Sequence, residues 1–206
     1  MKTIAFVITS KCEEDCTYCF QKNQKDLTLA QVKKSLSIAI EKNPEIKKVV
    51  ITGGNPELNK DFWAICNEIK SKKLLVKVHS NFINKESWNK FFGLVDEVSI
   101  PIDSIKHHPF RSERNTKNCL DAFNFFLGKI RIQVHTVVSK KNLTDLGEIR
   151  GFLDSKGFFG KNSWKLFRLV GVKALKGEQL SDKEWEQLKD KYSETKVHFV
   201  DNILEY

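Results

Sequence analysis

The sequence predicts an α/β protein in which six strand–helix units form an open, partial (βα)6 barrel. Short apolar runs alternate with amphipathic helical stretches from one end of the chain to the other, a pattern typical of parallel α/β folds. The 206 residues show no change of composition that would mark a linker, and six units are too few to close a (βα)8 barrel. From this pattern alone, a doubly wound open sheet remains the alternative.

Six apolar segments are predicted to form the strands. Each is a short and nearly continuous apolar run, as expected for parallel strands that are covered on both faces. The segments are 4–9, 48–52, 74–80, 97–102, 131–138 and 164–170. The segment 196–200 is either a further short strand or a tail below the barrel.

Helices are predicted between the strands from apolar residues at helical spacing. Two of these helices begin with a capping box, in which a hydroxyl residue stands three positions before a Gln or Glu. The boxes are Thr28 with Gln31, and Ser181 with Glu184. Both mark helix starts that the chain itself specifies locally.

Composition indicates a globular protein from a reducing compartment. Hydrophobic residues make up 40% and aromatic residues 11%, which excludes a disordered chain. The apolar start of the chain is too short for a signal peptide, and no run reaches the length of a membrane span. Three of the five cysteines stand in one loop, so no disulfide framework is expected. Cys66 and Cys119 lie on apolar helical faces and are predicted to be packed thiols. We therefore predict a cytoplasmic protein without a membrane partner.

The chain is basic, with a formal net charge of +9. A lysine-rich solvated surface explains this charge, and so does a polyanionic partner such as a nucleotide, a tRNA or an acidic electron donor. No arginine-rich tail or aromatic-interleaved basic repeat supports nucleic acid in particular. The charge alone does not choose between these explanations.

Three cysteines directly after the first predicted strand carry the main chemical signal. Cys12, Cys16 and Cys19 form a C-x3-C-x2-C run. Three thiolates on one short loop can hold three irons of a [4Fe–4S] cluster and leave the fourth iron open to a ligand, whereas electron-transfer clusters are closed by four cysteines. A zinc site is the alternative, but structural zinc requires a fourth Cys or His, and the loop contains no His.

This loop resembles the signature of the radical S-adenosylmethionine (SAM) enzymes, including the aromatic Tyr18 directly before the third cysteine. The resemblance extends from residue 4 to about 170. It implies one radical SAM core domain over 1–206, with a cluster loop at 10–24 and a short tail from about 195. It also implies two cofactors: a [4Fe–4S] cluster on Cys12, Cys16 and Cys19, and SAM on the open iron and near Tyr18. A donor of the flavodoxin or ferredoxin type would reduce the cluster, which then cleaves SAM to a 5′-deoxyadenosyl radical that abstracts hydrogen from a substrate.

The segment after the second strand resembles the motif that binds the methionyl amino group of SAM in this superfamily. Gly53 and Gly54 let backbone approach a ligand closely, and Asn55 stands where relatives have an acidic residue. An amide oxygen accepts a hydrogen bond but brings no charge. Recognition of the amino group is therefore expected from the backbone or from Glu57.

Three other strand ends supply further SAM contacts by the same resemblance. Ser80 and Asn81 end the third strand, with Phe82 where Gly is usual, and Asp103 after the fourth strand suits ribose hydroxyls. Arg168 near the end of the sixth strand suits the SAM carboxylate or an anionic substrate. For Ser80, Asn81 and Asp103, the alternative is that they only cap the strand ends. For Arg168, the alternative is a solvated charge at the rim.

We expect the substrate to be a small anionic molecule such as a nucleotide. Cys19–Phe20 and the segment 164–167 look like viperin-type nucleotide enzymes of the superfamily. The candidate phosphate contacts are Lys22, Lys25, His107, Arg111 and Arg114. One alternative is an activase or modifying enzyme that acts on a protein or a tRNA. An alternative of another class is a non-catalytic iron–sulfur or zinc-binding module.

Overall fold

Strands and helices alternate through the computed structural model, which describes residues 2–19, 25–106, 110–170, 173–193 and 196–201. The strands are β1 (Lys2–Val7), β2 (Ile46–Thr52), β3 (Leu75–His79), β4 (Glu97–Pro101), β5 (Arg131–Val138), β6 (Ser163–Arg168) and β7 (Val197–Val200). The α-helices are α1 (Leu29–Lys42), α2 (Phe62–Ser71), α3 (Glu113–Phe126), α4 (Leu146–Ser155) and α5 (Asp182–Lys191). Short 3-10 helices span Pro56–Leu58, Lys85–Phe91 and Lys173–Glu178.

The strand order in the sheet is β1-β2-β3-β4-β5-β6-β7, the order of the sequence. The pairs β1–β2, β2–β3, β3–β4, β5–β6 and β6–β7 are all parallel. A doubly wound sheet reverses its strand order at a switch point, so the sequential order excludes that alternative. The predicted fold class, an open partial barrel of parallel strand–helix units, is confirmed. The segment 196–200 contributes the parallel strand β7 and is not a tail.

The chain divides into two compact units. Among the described residues, the first unit contains 2–13, 25–99 and 128–131. The second unit contains 14–19, 100–127 apart from 107–109, and the described residues from 132 onward. The prediction of a single core domain stays a prediction.

Apolar packing of helices on the sheet forms the core of the first unit. Val49 and Ile51 of β2 are fully buried, as are Val76 and Val78 of β3. Because alternate residues of a strand face opposite sides, these valines and isoleucines share the face that the helices cover. The helices contribute their own fully buried stripe, which consists of Val32, Leu36, Ile65 and Ile69.

Both predicted capping boxes are present. The Thr28 side chain accepts from the Gln31 amide, and the Gln31 side chain accepts from the Thr28 amide at 2.8 Å. Ser181 and Glu184 make the same reciprocal pair at the start of α5. Each box satisfies two of the amides that a helix start leaves without partners.

The two cysteines outside the loop are packed thiols, as predicted. Cys66 and Cys119 are buried on α2 and α3. Burial raises the pKa of each thiol to about 12, which keeps both protonated and unreactive. In the part of the chain that the structure describes, no helix is long and apolar enough to cross a bilayer.

A buried ion-pair network joins β2, β3 and β4 within the first unit. The Glu97 carboxylate lies 2.7 Å from Nζ of Lys48 and 2.7 Å from Nζ of Lys77. All three side chains are at most 15% exposed. Burial by itself raises the pKa of Glu97. The Lys77 charge and the hydrogen bond from Lys48 lower the pKa by more than burial raises it, so the pKa lies below its ordinary value.

Replacement of Glu97 by Gln removes the carboxylate charge that pairs with both buried ammonium groups. We expect Glu97→Gln to lower the free energy of unfolding by about 3 kcal/mol, because breaking a buried pair leaves charge uncompensated. Urea unfolding at pH 7 measures the change. Glu148→Gln is the matched control, because the Lys106–Glu148 pair is 78% and 52% exposed and exposed pairs contribute less than about 1 kcal/mol.

The stability that Glu97 contributes through its ion pairs depends on pH. A carboxylate with a lowered folded-state pKa stabilises the protein above its ordinary pKa of about 4.3 and loses that contribution as the pH falls through the folded-state value. The difference in unfolding free energy between the wild type and Glu97→Gln is therefore expected to become smaller below about pH 4. A loss no larger than that of Glu148→Gln at pH 7 would show that the network does not stabilise the fold.

Candidate functional site

The carboxyl ends of β1, β2 and β3 bring the predicted residues of the first unit together. Cys12 follows β1, the segment 53–55 follows β2, and Ser80 and Asn81 follow β3. Parallel strands end at the same edge of a sheet, which is where sites form in α/β folds. Asn81 Nδ2 lies 3.8 Å from Cys12 Sγ, so one predicted SAM contact touches one predicted cluster ligand.

Gly53 and Gly54 accommodate the chain's own cysteine loop. The Gly54 amide donates to the Thr9 carbonyl at 2.9 Å, and the Asn55 amide donates to the Lys11 carbonyl at 2.7 Å. A Cβ atom on Gly53 would lie 2.3 Å from the Thr9 oxygen, and one on Gly54 would lie 2.2 Å from the Lys11 oxygen. The two glycines are therefore required by the backbone that leads into the first cysteine.

A second set of contacts closes the base of the same loop. The Asn59 side-chain amide donates to the carbonyls of Ile8 and Leu27, at 2.7 and 2.9 Å. Thr9 donates to Asp26 at 2.6 Å, and Lys11 Nζ lies 2.7 Å from the same carboxylate. Sequence reasoning missed Asn59 and Asp26. Their partners lie far away along the chain, and neither residue stands in a motif.

The residues after β2 and β3 form a polar network. Asn55 Oδ1 accepts from the Asn81 amide at 3.2 Å, and Ser80 donates to the Glu57 carboxylate. Asn55 Nδ2 and Glu57 Oε1 are buried, and neither has a hydrogen-bond partner among the described residues. Burial raises the pKa of Glu57, and the Ser80 hydrogen bond offsets only part of that rise. The network thus keeps one donor and one acceptor available for a ligand.

Phe82 has a left-handed backbone although it is not a glycine. Its φ is +54°, a conformation that costs a non-glycine residue about 1 kcal/mol or more. The ring is fully buried, with its centroid 5.6 Å from that of Phe91. Trp88 Nε1 donates to the Phe82 carbonyl at 3.2 Å. Packing of the ring offsets the backbone cost, so the turn is retained without glycine.

Tyr18, directly before the third cysteine, lies in a buried polar group of the second unit. Its hydroxyl donates to Asp103 Oδ2 at 2.5 Å, and Arg111 Nε donates to the same carboxylate and to the phenol oxygen. Asp103 Oδ1 accepts from the Val137 amide at 2.6 Å. Both carboxylate oxygens of Asp103 therefore accept from protein donors. Its predicted ribose contact stays a prediction.

Electrostatics fixes the charge states in this group. Burial raises the pKa of Tyr18 well above its ordinary value, the Arg111 charge lowers it, and the Asp103 charge raises it again. Burial lowers the pKa of Arg111, but the charges of Asp103 and Tyr18 more than reverse that change. Tyr18 is thus a neutral phenol and Arg111 a permanent cation.

The candidate phosphate contacts have different surroundings. The Arg111 side chain is only 9% exposed and is paired with Asp103, so the structure gives it a buried partner instead of a place on the surface. Lys25 and Arg114 are exposed. Lys22 and His107 lie outside the described residues.

The three loop cysteines are not part of disulfides, and they differ in exposure. Cys12 is exposed and belongs to the first unit, whereas Cys16 and Cys19 are partly buried and belong to the second. The Cys19 amide donates to the Cys16 carbonyl at 2.9 Å, which forms a tight turn. No group of three or more His, Cys, Asp or Glu side chains arranged to hold a metal occurs among the described residues. Cluster binding therefore stays a prediction.

Arg168 contacts the start of α5. Its Nη2 donates to the Leu180 carbonyl at 2.7 Å, and Nη1 lies 2.7 Å from Asp182 Oδ1. Its buried Nε has no hydrogen-bond partner within the described residues. These contacts support a structural role, and the predicted contact with the SAM carboxylate stays a prediction.

Comparison with protein families and sequenced relatives gives a consistent result. Residues 6–151 match the Radical SAM superfamily. The uncharacterized protein MJ0907 of Methanocaldococcus jannaschii is 28% identical over 172 residues, which cover 76% of this chain and 60% of that protein. The GTP 3′,8-cyclase of Mannheimia succiniciproducens is 29% identical over 67% of this chain and 45% of its own length. The putative glycyl-radical enzyme activating enzyme MJ1632 of M. jannaschii is 25% identical over 69% of this chain and 58% of its own length. The chain thus spans about half the length of these relatives.

Solved structures share the fold. SuiB of Streptococcus suis bound to S-adenosylmethionine has a TM-score of 0.76 at 13% identity, over 96% of this chain and 49% of that chain. A radical SAM methyltransferase from Sphaerobacter thermophilus has a TM-score of 0.68 at 10% identity, over 95% of this chain and 65% of that chain. At these identities the likeness shows the fold alone, and it agrees with the strand order given above.

Gly54→Ala tests whether the glycine pair positions the first cysteine. The added Cβ would lie 2.2 Å from the Lys11 oxygen and 2.9 Å from Cys12 Cβ, so the loop must move. We expect a loss of about 2 kcal/mol in unfolding free energy and the loss of most of the iron bound after anaerobic reconstitution. Gly151→Ala is the control, because nothing lies within 4 Å of its Cβ position. Equal iron content in the two variants would contradict the assignment.

Proposed function

The chain belongs to the radical SAM superfamily, and from that premise we propose that it binds a [4Fe–4S] cluster and SAM and uses them to abstract hydrogen from a small anionic substrate such as a nucleotide. One observation carries the proposal. The C-x3-C-x2-C loop lies inside the residues that match the superfamily, and Nδ2 of Asn81, which follows β3, lies 3.8 Å from Sγ of its first cysteine.

The thiols of Cys12, Cys16 and Cys19 fit the donor set of a cluster with one open iron. When bound, the cluster and SAM supply the electron and the 5′-deoxyadenosyl radical, which is the difficult part of the chemistry. The protein holds the ligands, orients the substrate and excludes water. An acidic reductant of the flavodoxin or ferredoxin type would complement the net charge of +9.

The two unsatisfied atoms after β2 fit the amino-acid end of SAM. Asn55 Nδ2 is a donor that suits a carboxylate, and Glu57 Oε1 is an acceptor that suits an ammonium group. In this proposal Glu57 supplies the negative charge that Asn55 lacks. The structure of SuiB with bound S-adenosylmethionine shares this fold, which supports SAM as the ligand.

Two observations support a nucleotide as the substrate. One of the relatives is a GTP 3′,8-cyclase, whose name gives a nucleotide as its substrate. The chain is basic, and Lys25 and Arg114 are exposed where they can meet phosphate.

A protein-modifying or activating function is the second candidate. It is favoured by the relative that is a putative glycyl-radical enzyme activating enzyme and by the structure of SuiB bound to its precursor peptide SuiA. A tRNA substrate predicts co-purification with RNA that is lost by about 200 mM salt. A non-catalytic iron–sulfur or zinc module, the alternative of another class, predicts no SAM cleavage.

The decisive experiment is SAM cleavage by the reconstituted protein. After anaerobic reconstitution with iron and sulfide and reduction with dithionite, we expect 5′-deoxyadenosine from the wild type and none from Cys16→Ala. Cys119→Ala, which removes a buried thiol outside the loop, is the matched control and is expected to retain the activity. Nucleotides form the first substrate screen, and peptides form the second. Zinc in place of iron in the wild type would overturn the proposal.

Glu57→Gln tests the proposed partner of the SAM amino group. The change keeps the shape of the side chain but removes its charge, and a hydrogen bond to a charged group contributes about 1.5–3 kcal/mol. We expect SAM to bind at least about tenfold more weakly, as measured by anaerobic equilibrium dialysis against the oxidised, cluster-loaded protein. Glu86→Gln, at an exposed position, is the control. Equal affinities would mean that the backbone recognises the amino group without Glu57.

A further inference from the structure

Residues 110–112, directly before α3, contact the cysteine loop within the second unit, and we call them the anchor segment. The ring of Phe110 meets the ring of Tyr18 edge-on, at 6.2 Å between centroids and 88° between planes. Arg111 donates to the Tyr18 hydroxyl, and its guanidinium carbon lies 5.4 Å from the centre of the Tyr18 ring. The anchor segment therefore contacts both the ring and the hydroxyl of Tyr18.

The anchor segment also contacts the loop on the other side of Cys16. Ser112 Oγ donates to Glu14 Oε2 at 2.7 Å and accepts from the Asn115 amide at 3.0 Å as the N-cap of α3. Glu14 and Tyr18 both lie two residues from Cys16 in the sequence. The loop is thus attached to the start of α3 on both sides of its middle cysteine.

The Arg111 guanidinium has a fixed orientation. Nε bonds the Asp103 carboxylate, and Nη1 donates to Asn115 Oδ1 at 3.1 Å. The Arg111 side chain is 9% exposed and that of Asp103 is 1% exposed. Removing one partner of such a buried pair leaves an uncompensated charge. Cys16 packs against the apolar cluster that contains Tyr18 and Phe110, and it interacts electrostatically with Arg111, so this cation stands close to a predicted cluster ligand.

We infer that Arg111 is a positioning residue for the cluster loop, which holds Cys16 and Cys19 in one geometry through Tyr18 and places a fixed positive charge beside the cluster. The inference rests on the proposed function, because it requires a cluster on these cysteines. A cluster with three thiolate ligands becomes more negative when it is reduced. A nearby cation stabilises the reduced form more than the oxidised form, which raises the midpoint potential.

Two substitutions separate the charge of Arg111 from its geometry. Arg111→Gln leaves the Asp103 carboxylate without its cation, so we expect a more negative midpoint potential and faster hydrogen exchange at the Cys19 amide. Arg111→Lys keeps the charge but not the planar fork, so we expect a potential near that of the wild type together with faster exchange. Lys117→Gln removes a positive charge from an exposed position on the same helix, α3, and is the matched control. It is expected to behave as the wild type.

Anaerobic redox titration of the reconstituted protein measures the potential, and hydrogen exchange of the metal-free protein measures the loop. If Arg111→Gln does not fold, Tyr18→Phe serves instead, because it keeps the ring packing and removes only the hydroxyl. It is expected to speed exchange at the Cys19 amide while β5–β7 remain protected. If the wild type binds the cluster but Arg111→Gln has the same midpoint potential and the same hydrogen-exchange rate, this inference is wrong and the proposed function is unaffected. A wild type that binds no cluster overturns the proposed function, and this inference with it.

Discussion

The close approach of residues 9–12 to Gly53 and Gly54 is the constraint on which the polar site of the first unit depends. Two backbone hydrogen bonds, from Gly54 and Asn55 to carbonyls of this segment, join the ends of β1 and β2. No Cβ fits at either glycine, so the path into Cys12 is determined by the backbone. Asn55 and Asn81 meet at the same edge of the sheet, and Asn81 also contacts Cys12. The two candidate SAM contacts and the first cysteine therefore lie close together.

The second unit holds its part of the loop by a different interaction. Residues 14–19 lie outside the strands, so no ladder of backbone hydrogen bonds can fix them. Side chains do so instead: Tyr18 is inserted into the core, and its hydroxyl meets the Asp103–Arg111 pair. Compared with apolar packing, a buried ion pair contributes little net stability, but it fixes the orientation of the side chains that it joins. A loop that carries two predicted metal ligands requires such a fixed orientation.

Local features of the sequence predicted most of the fold, and non-local pairing explains what they missed. Alternating apolar runs and two capping boxes depend on neighbours within a few positions, so they placed the strands and helices within a few residues of their observed bounds. Tyr18, Asp103 and Arg111 are separated by as many as 93 residues. Each was predicted as a separate contact to a ligand, because the sequence does not show whether a charged side chain faces solvent or another charge. The pairing appears only when the fold brings them together.

The two departures from the superfamily pattern lie beside each other, and the structure offers a physical account of both. Phe82 keeps the left-handed turn that glycine would adopt, and its amide donates to Ser80 Oγ at 3.1 Å. Ser80 in turn donates to Glu57, the carboxylate that follows Asn55 by two positions. The turn therefore orients the hydroxyl, and the hydroxyl orients the carboxylate. A carboxyl group thus stands shortly after β2, where Asn55 offers only an amide, which is why we propose for Glu57 the role that the motif gives to its third position.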